Sequence, residues 1–189
     1  MEFVQPIRDR KQLEAMKRYL KGSSLRDYCL FVLGINSGLR VSDLLNLTIA
    51  DVVDEQGKLR DRITLREKKT GKAKDFPLSD SAKKAISEYL KQRGEYAANE
   101  PLFPSRKGGA PLTRQHAYRI LNEAARAVGI KEQIGTHTLR KTFGYHAYQS
   151  GVDISRLQKL LNHSAPSVTL AYIGITQEEL DEVYLNLNL

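Results

Sequence analysis

The sequence predicts a mainly helical domain with one small antiparallel β-sheet, an α+β fold. Two observations indicate this. Apolar residues recur every three or four positions through most of the 189 residues, and one stretch near the middle alternates apolar and polar residues instead. The length suits one domain with a single core, and we find no internal repeat or low-complexity tract. We therefore expect residues 1–189 to form a single domain.

Helical spacing predicts seven helices, and residues that favour helix ends mark several of them. The helices lie near 10–20, 25–36, 81–93, 114–128, 138–149, 154–161 and 167–172. Gly38 follows "CLFVLGINS" and suits the left-handed conformation that ends a helix. Ser42 is expected to cap "DLLNL", and Asp153 is expected to cap "ISRLQKLL".

The alternating stretch is "DRITLREKKTGKAKDFPLS". Its pattern continues on both sides of "KTGK" and predicts a β-hairpin with a basic tip around Gly71. Residues 49–53 are a candidate for a further strand. Residues 95–113 contain two glycines and three prolines, so we expect a loop there.

Composition favours an acidic polymer as the partner. The formal net charge is +8 and the pI is about 9.5, and a basic surface gains free energy from counterion release on a phosphate backbone. A solvated basic surface remains the alternative. The single cysteine, Cys29, is expected to be a core residue in a reducing cytoplasm. The sequence has neither a signal peptide nor an apolar run of roughly 20 residues, so we expect no membrane partner.

Metal and cofactor motifs are missing from the sequence. It contains no HExxH, CxxC, GxxxxGK[ST] or GxGxxG, and no carboxylates cluster near the basic segments. We therefore expect no metal and no cofactor. Chemistry on a phosphate would then depend on cationic side chains.

Two segments carry residues suited to that task. "SGLRVSDLLNL" places Arg40 in a turn between two helices, and "THTLRKTF" places His137 and Arg140 on one face at a helix start capped by Thr136 or Thr138. Alone, each could be a surface arginine or a packing histidine. Together, two arginines and two histidines, His137 and a later one, could bind both non-bridging oxygens of a phosphate.

With these residues in order, the chain resembles the catalytic domain of a tyrosine recombinase of the phage integrase family. That family has an arginine after a Thr/Ser-Gly-Leu turn, a lysine on a β-hairpin, HxxR, a later His or Trp, and a tyrosine. The matching residues are Arg40, Lys69, His137, Arg140, His163 and Tyr172. The resemblance implies the DNA breaking-rejoining catalytic fold of this family and double-stranded DNA as the partner.

The resemblance also implies a reaction. Tyr172 would attack the scissile phosphate, release a 5′-hydroxyl and form a covalent 3′-phosphotyrosine link. Arg40 and Arg140 would stabilise the pentacoordinate transition state. Because the link stores the free energy of the cleaved bond, rejoining would need neither ATP nor a metal.

Proton transfer and phosphate binding are assigned in the same way. His137 would take the phenol proton, and His163 would hydrogen-bond the phosphate. Lys69 would protonate the leaving oxygen, with Lys68 as the rival in the same segment.

Other positions carry weaker expectations. Asp43 would orient a guanidinium, or be a plain helix-start carboxylate. Asn162 stands where the family usually has glycine and would tolerate a left-handed turn. His116 and His146 match no catalytic position, so we interpret them as structural.

DNA contact is expected from one helix and from the hairpin tip. "LTRQHAYRILNEAARAVG" resembles the helix that the family lays in a major groove, which makes Arg114 the candidate for base reading. Contact with phosphates alone is the alternative. Arg119, Lys68 and Lys72 are the further DNA-binding candidates.

The resemblance also bears on assembly. Residues 177–189 would dock on a neighbouring protomer in a tetramer on two DNA sites, the free protein being a monomer; packing on its own core is the alternative. The core-binding domain that usually precedes the catalytic domain is expected to be absent. The chain would then be a fragment of a longer integrase, or a naturally short recombinase like the fimbrial DNA-inversion enzymes.

Two other functions fit the same residues. A type IB topoisomerase would form the same covalent link but release supercoils by swivelling. A DNA-binding regulator could use the same fold without catalysis.

Overall fold

The computed structural model describes residues 4–135 and 137–187, and helices dominate this part of the chain. In chain order the elements are α1 (Arg10–Ser23), α2 (Leu25–Ser37), α3 (Val41–Leu45), α4 (Ile49–Val52), β1 (Arg62–Arg66), β2 (Ala73–Pro77), α5 (Asp80–Arg93), α6 (Arg114–Ala127), α7 (Thr138–Gln149), α8 (Ile154–Leu160), α9 (Pro166–Ile173) and α10 (Gln177–Leu187). The seven predicted helices and the predicted hairpin are all present.

The main core surrounds α2. This helix is apolar on most of its circumference because it packs against α1, α5 and α7. Cys29 is fully buried in it, as predicted. The helix ends at Gly38, which has a φ of 60°. A Cβ atom there would lie 2.6 Å from a Phe143 ring carbon, so both the backbone conformation and the close approach of α7 favour glycine.

A second, smaller core joins α7, α8 and α9. Its fully buried members include Leu157, Leu161 and Ile173. A Cβ atom on Gly144 would lie 2.6 Å from Ile173 Cγ2, so α7 and α9 pack at very close range. This contact sets the depth of α9, the helix that carries Tyr172.

The hairpin pairs β1 with β2 in antiparallel register, with Ile63 opposite Phe76 and Leu65 opposite Lys74. Gly71 has a φ of 66° at its tip. Side chains alternate along β1, so Ile63 and Glu67 are buried while Thr64 and Arg66 are exposed.

Two local predictions were wrong. Residues 49–53 do not form a strand; Ile49–Val52 is a helical turn, with Thr48 and Asp51 forming a capping box. Ser42 is not a cap, because α3 begins one residue earlier and the Asp43 and Leu44 amides already donate to the carbonyl of Arg40. Asp153 caps α8 as predicted, accepting from the Ser155 and Arg156 amides.

An extended N-terminal segment, residues 4–8, lies across α7, and we call it the strap. The Gln5 amide donates to the Gln133 carbonyl at 3.2 Å, and the Ile7 amide donates to Thr142 Oγ1 at 2.9 Å. At the far end, Arg8 Nη2 donates to the Gly174 carbonyl at 2.7 Å. The strap therefore joins the loop before His137 to the turn after Tyr172.

None of the helices in the described part of the chain has the length and apolar content that a bilayer-spanning helix requires.

Candidate active site

Arg140 is held from behind by two backbone carbonyls. Its Nη1 donates to the Gly38 carbonyl at 2.5 Å, and its Nη2 donates to the Leu161 carbonyl. The residue is only 2% exposed. The end of α2 and the end of α8 thus fix the guanidinium on the first turn of α7.

Arg40 lies near Arg140, on the turn between α2 and α3, and we call the cluster that these arginines form with His137, His163 and Tyr172 the pocket. Arg40 Nη1 forms an ion pair with Glu67 Oε2 at 2.9 Å, although the two groups are not aligned as a hydrogen bond. Glu67 Oε1 lies 4.0 Å from Arg140 Nη1. The two arginines therefore flank one buried carboxylate, and the structure brings them together as the sequence predicted.

Glu67 was missed by the sequence analysis. Burial alone would raise the pKa of its carboxyl, but contacts with Thr70, Arg40 and Asn162 together lower this pKa below its ordinary value. The sequence did contain a signal that could have identified Glu67. Residues 63 and 65 share the inward face of β1, and the same period-two alternation places Glu67, the residue after the strand, on the side of the core.

Tyr172 and His137 face each other across the pocket. His137 Nδ1 lies 3.4 Å from Tyr172 Oη, and their rings are edge-to-face. The Lys141 ammonium lies 5.2 Å from the centre of the Tyr172 ring. Burial raises the pKa of the Tyr172 phenol, although the charges of Arg140 and Arg40 act in the opposite direction.

The environment of His137 lowers the pKa of its ring. Partial burial lowers the pKa of its imidazole, and the positive charges of Arg114, Lys141, Arg140 and Lys69 lower it further. The ring is therefore neutral near pH 7. It is the N-terminal flanking residue of α7 and makes no capping hydrogen bond.

Neither Thr136 nor Thr138 is observed as the N-terminal cap predicted for α7 within the described residues. Thr138 is the first residue of α7, and its hydroxyl accepts from the Gly135 amide at 3.0 Å. Thr136, the other candidate, lies outside the described residues.

His163 stands on the opposite side of Tyr172. The two rings are 4.8 Å apart, centre to centre. Its Nδ1 lies 3.0 Å from the hydroxyl of the fully buried Thr169, which fixes the ring orientation. Burial, followed by the charges of Arg140 and Arg40, lowers the pKa of His163.

The hairpin tip is tied to the pocket by its backbone. The Lys68 amide donates to Asp43 Oδ1 at 2.8 Å. Asp43 was expected to orient a guanidinium, but the hydrogen bond it makes is this one, and Oδ2 has no hydrogen-bond partner in the described part of the chain. The side chains of Lys68, Lys69 and Lys72 are all exposed around the tip.

A further cation of the pocket, Lys74, was also missed by the sequence analysis. Its Nζ lies 3.4 Å from the carbonyls of both Ser37 and Gly38. Burial, followed by the charge of Arg140, lowers its pKa to about 8. Alternation along β2 puts Lys74 on the inward face with Phe76, so the pattern could have singled it out from the exposed hairpin lysines.

The DNA-reading candidates lie on the exposed face of α6. Arg114 and Arg119 are both exposed, and the charge of Arg114 acts on His137. His146 Nε2 hydrogen-bonds the Ile7 carbonyl at 2.8 Å, which ties the strap to α7. His116 lies in the first turn of α6, where its amide donates to the Thr113 cap.

We find no group of three or more histidine, cysteine, aspartate or glutamate side chains that could hold a metal ion within residues 4–135 and 137–187.

A helical domain whose hairpin, α2–α3 turn and last helices gather two arginines, two histidines and a tyrosine has the architecture of a tyrosine recombinase catalytic domain. Residues 8–179 match the model of the phage integrase family, and the chain belongs to that family. This result confirms the resemblance and the enzyme class that the sequence predicted.

Several relatives carry names consistent with the family. The chain is 47% identical over 184 residues to the probable integrase/recombinase YoeC of Bacillus subtilis, covering 97% of both chains. It is 31% identical over 167 residues to the type 1 fimbriae regulatory protein FimE of Escherichia coli, covering 86% of this chain and 82% of FimE. Against tyrosine recombinase XerC of Pelobacter propionicus it is 36% identical over 160 residues, covering 85% of this chain but 51% of XerC.

Solved structures confirm the fold. The crystal structure of XerA recombinase gives a TM-score of 0.79 at 23% identity, covering 100% of this chain and 66% of XerA. XerH bound to a palindromic difH substrate in a post-cleavage complex gives a TM-score of 0.76 at 23% identity, covering 97% of this chain and 53% of XerH.

Proposed function

We propose that the protein is a site-specific DNA recombinase that cleaves and rejoins strands through a covalent 3′-phosphotyrosine link. The observation that carries the proposal is the position of the Tyr172 phenol, 3.4 Å from His137 Nδ1 and beside two arginines that converge on one pocket. The relatives named as recombinases, and the XerH complex with a difH substrate, support it.

Arg40 and Arg140 would bind the two non-bridging oxygens of the scissile phosphate. Because backbone carbonyls and Glu67 already hold the two guanidinium groups, little reorganisation is needed as charge develops in the pentacoordinate transition state. His163 would add a hydrogen bond to the phosphate from its Nε2, with its Nδ1 held 3.0 Å from the Thr169 hydroxyl.

The phenol needs a base because its pKa is raised, and His137 would take the proton through Nδ1. Lys69 would protonate the leaving 5′-oxygen, with Lys68 as the alternative on the same tip. The phosphotyrosine link stores the free energy of the cleaved bond, so this scheme uses neither ATP nor a metal.

DNA would bind over the face that carries these groups. Arg114 and Arg119 on α6 and Lys68 and Lys72 on the hairpin tip are exposed around the pocket, and the formal net charge is +8. A DNA substrate and a single buried cysteine favour a cytoplasmic protein.

The C-terminal helix would connect protomers. We infer that residues 177–189 dock on a neighbouring subunit of a DNA-bound tetramer, with the free protein a monomer. Helix α10 has no buried residue, and Val183, Tyr184, Leu185 and Leu187 are each more than half exposed. Contiguous exposed apolar residues of this kind are typical of a surface that another protein covers.

The decisive experiment is capture of the covalent adduct. A pool of nicked duplexes with randomised sequence around the nick is incubated with the protein in the presence of EDTA. Cleavage beside a nick lets the short leaving strand diffuse away, so the adduct accumulates and survives detergent. We expect adducts enriched in one sequence with the wild-type protein and none with Tyr172→Phe.

If the protein binds the pool but no adduct exceeds the Tyr172→Phe background, the regulator function replaces this proposal. The enriched sequence then separates the two enzymatic functions. Strand exchange between two such sites indicates a recombinase, whereas relaxation of any supercoiled plasmid indicates a topoisomerase.

A further inference from the structure

We propose that Glu67 and Asn162 form a positioning pair that fixes the Arg40 guanidinium and the turn before His163 for reaction with the phosphate. This inference rests on the proposed function. Neither residue touches the phosphate in this scheme; each acts through groups that do.

Three segments of the pocket converge on a single oxygen, Glu67 Oε2. Arg40 Nη1 lies 2.9 Å from it, Asn162 Nδ2 donates to it at 2.9 Å, and Thr70 Oγ1 donates to it at 2.8 Å. These partners come from the α2–α3 turn, the α8–α9 turn and the hairpin tip. One carboxylate therefore sets the relative positions of three segments that are far apart in sequence.

The charge of Glu67 is what makes the arrangement stable. Its side chain is fully buried, and Arg40 is 17% exposed. Two guanidinium groups on one pocket repel each other, and a carboxylate between them offsets that repulsion at short range. Removing this charge would leave Arg40 free to turn towards solvent.

The second carboxylate oxygen adds to this argument. Glu67 Oε1 is buried, lacks a hydrogen-bond partner among the described residues, and faces Arg140 Nη1 at 4.0 Å. A buried carboxylate oxygen without a partner is costly and is rarely retained without a role. Glu67 therefore acts on the charges of both arginines. It makes close contact with Arg40 but lies 4.0 Å from Arg140.

The hydrogen bond from Asn162 to Glu67 explains why this chain has asparagine where the family usually has glycine. Asn162 has a φ of 52° and is the non-glycine residue with positive φ in the described ranges. Asparagine accepts this conformation at a cost that glycine does not have, and here its side chain gains a hydrogen bond to an ionised carboxylate. Because Arg140 binds the carbonyl of the preceding Leu161, both residues before His163 are fixed.

The test compares wild-type protein, Glu67→Gln, Asn162→Gly and the double variant in single-turnover cleavage of the enriched nicked duplex. We expect cleavage about 100-fold slower for Glu67→Gln, since misplaced groups cost about this much, and about tenfold slower for Asn162→Gly. The double variant should be no slower than Glu67→Gln, because both changes remove one contact network.

Equilibrium affinity for the same duplex separates positioning from structural damage. Glu67→Gln removes a negative charge near the bound phosphate, so DNA affinity should stay equal or increase while cleavage slows. Damage to the fold would lower both. Asp75→Asn is the matched control, because it removes a carboxylate from the outer face of the same hairpin, where it pairs only with exposed groups; its cleavage rate should equal that of the wild type.

A measurement without DNA keeps the inference testable by itself. In ¹⁵N spectra of side-chain arginine groups, the Arg40 Nη signals should be separate in the wild type, because the ion pair slows rotation, and merged in Glu67→Gln. If the wild type forms no adduct, the proposed function fails, and these spectra still decide whether the pair exists. Wild-type cleavage rates in both single variants, or unchanged Arg40 signals in Glu67→Gln, would overturn the inference. Should Glu67→Gln not fold, Asn162→Gly, which keeps the carboxylate, decides alone.

Discussion

Single residues of the pocket differ in what holds them, although the sequence motif treats them alike. Arg140 is bound to two carbonyls and is buried, whereas Arg40 depends on Glu67 and is partly exposed. The family pattern named both arginines, both histidines and the tyrosine. It could not name Glu67 and Lys74, because their importance comes from the inward face of a hairpin and from neighbours distant in sequence.

The two arginines should therefore respond differently to substitution by lysine. Arg140→Lys cannot keep both carbonyl hydrogen bonds and should lower the free energy of unfolding by about 1–3 kcal/mol, the cost of leaving a buried polar group unsatisfied. Arg40→Lys should cost less stability but slow cleavage as strongly. Urea denaturation and adduct formation would measure the two effects, and equal stability losses would contradict the assignment of the carbonyl contacts.

Lys74 should make stability depend on pH in the alkaline range. Its pKa is about 8 in the folded protein and near 10.5 when unfolded. Between these values the unfolded state binds more protons, so the free energy of unfolding should rise with pH. Above about pH 10, Tyr89, Tyr145 and Tyr172 oppose this trend, because burial raises their pKa values in the folded protein.

The measurement is urea denaturation between pH 7.5 and 9.5. Lys74→Met should remove most of the rise. Lys141, whose pKa burial also lowers, adds to the rise, whereas Cys29, whose pKa burial raises, opposes it towards pH 9.5. A rise of the same size in Lys74→Met would show that other groups cause it.

At the scale of elements, the sequence predicted regular helices well and short or irregular ones poorly. Helices α1, α2 and α5 to α9 have apolar spacing over two or more turns. By contrast, α4 is a single turn whose apolar residues also suit a strand, and only its capping box and contacts decide between them. The hairpin was predicted from alternation, but its anchor, Asp43, could be identified only in three dimensions.

Asp43 should control the hairpin tip. Asp43→Ala removes the acceptor for the Lys68 amide, so we expect faster hydrogen exchange at that amide and slower cleavage, because Lys69 on the adjoining tip is then less well placed. The Ile63 amide in β1, which lies opposite Phe76 in a hydrogen-bonded pair of the ladder, should keep its protection. Unchanged exchange at Lys68 would mean that the tip is held by other contacts.

Helix α6 should supply sequence preference. Arg114→Ala is expected to relax the preference at one or two base pairs, at a cost of about 1–3 kcal/mol for the preferred sequence. Arg126→Ala, at the other end of the same helix, is the control and should weaken binding uniformly or not at all. Binding to the randomised duplex pool measures both, and a uniform loss for Arg114→Ala would indicate phosphate contact alone.

At the scale of the whole molecule, the C-terminal helix is attached by little more than its first turn. Glu179 Oε1 accepts from the Tyr145 hydroxyl at 2.8 Å and from Gln149 Nε2 at 2.9 Å, and its other oxygen accepts from the Thr176 amide. Beyond that turn the helix is exposed. The alternating apolar residues of the tail did not predict a helix, because this one packs little against its own chain.

Deleting residues 180–189 should therefore leave stability nearly unchanged while reducing assembly on DNA. The deletion keeps Glu179 and its contacts, and it removes Val183, Tyr184, Leu185 and Leu187, whose burial would require a partner. Thermal unfolding and sedimentation of the protein with a paired-site duplex are the two measurements. Intact tetramers after the deletion would exclude docking by this segment.

The overall topology followed from sequence because motif order and helix spacing agreed. The folded geometry added the relations between distant segments, above all the strap. Residue 5 hydrogen-bonds to Gln133, which precedes His137, and residue 8 hydrogen-bonds to Gly174, which follows Tyr172. Tension applied to the chain at Val4 would reach both of these hydrogen bonds without unwinding a helix. A tag or another protein fused in front of Val4 would therefore be mechanically coupled to the spacing between His137 and Tyr172.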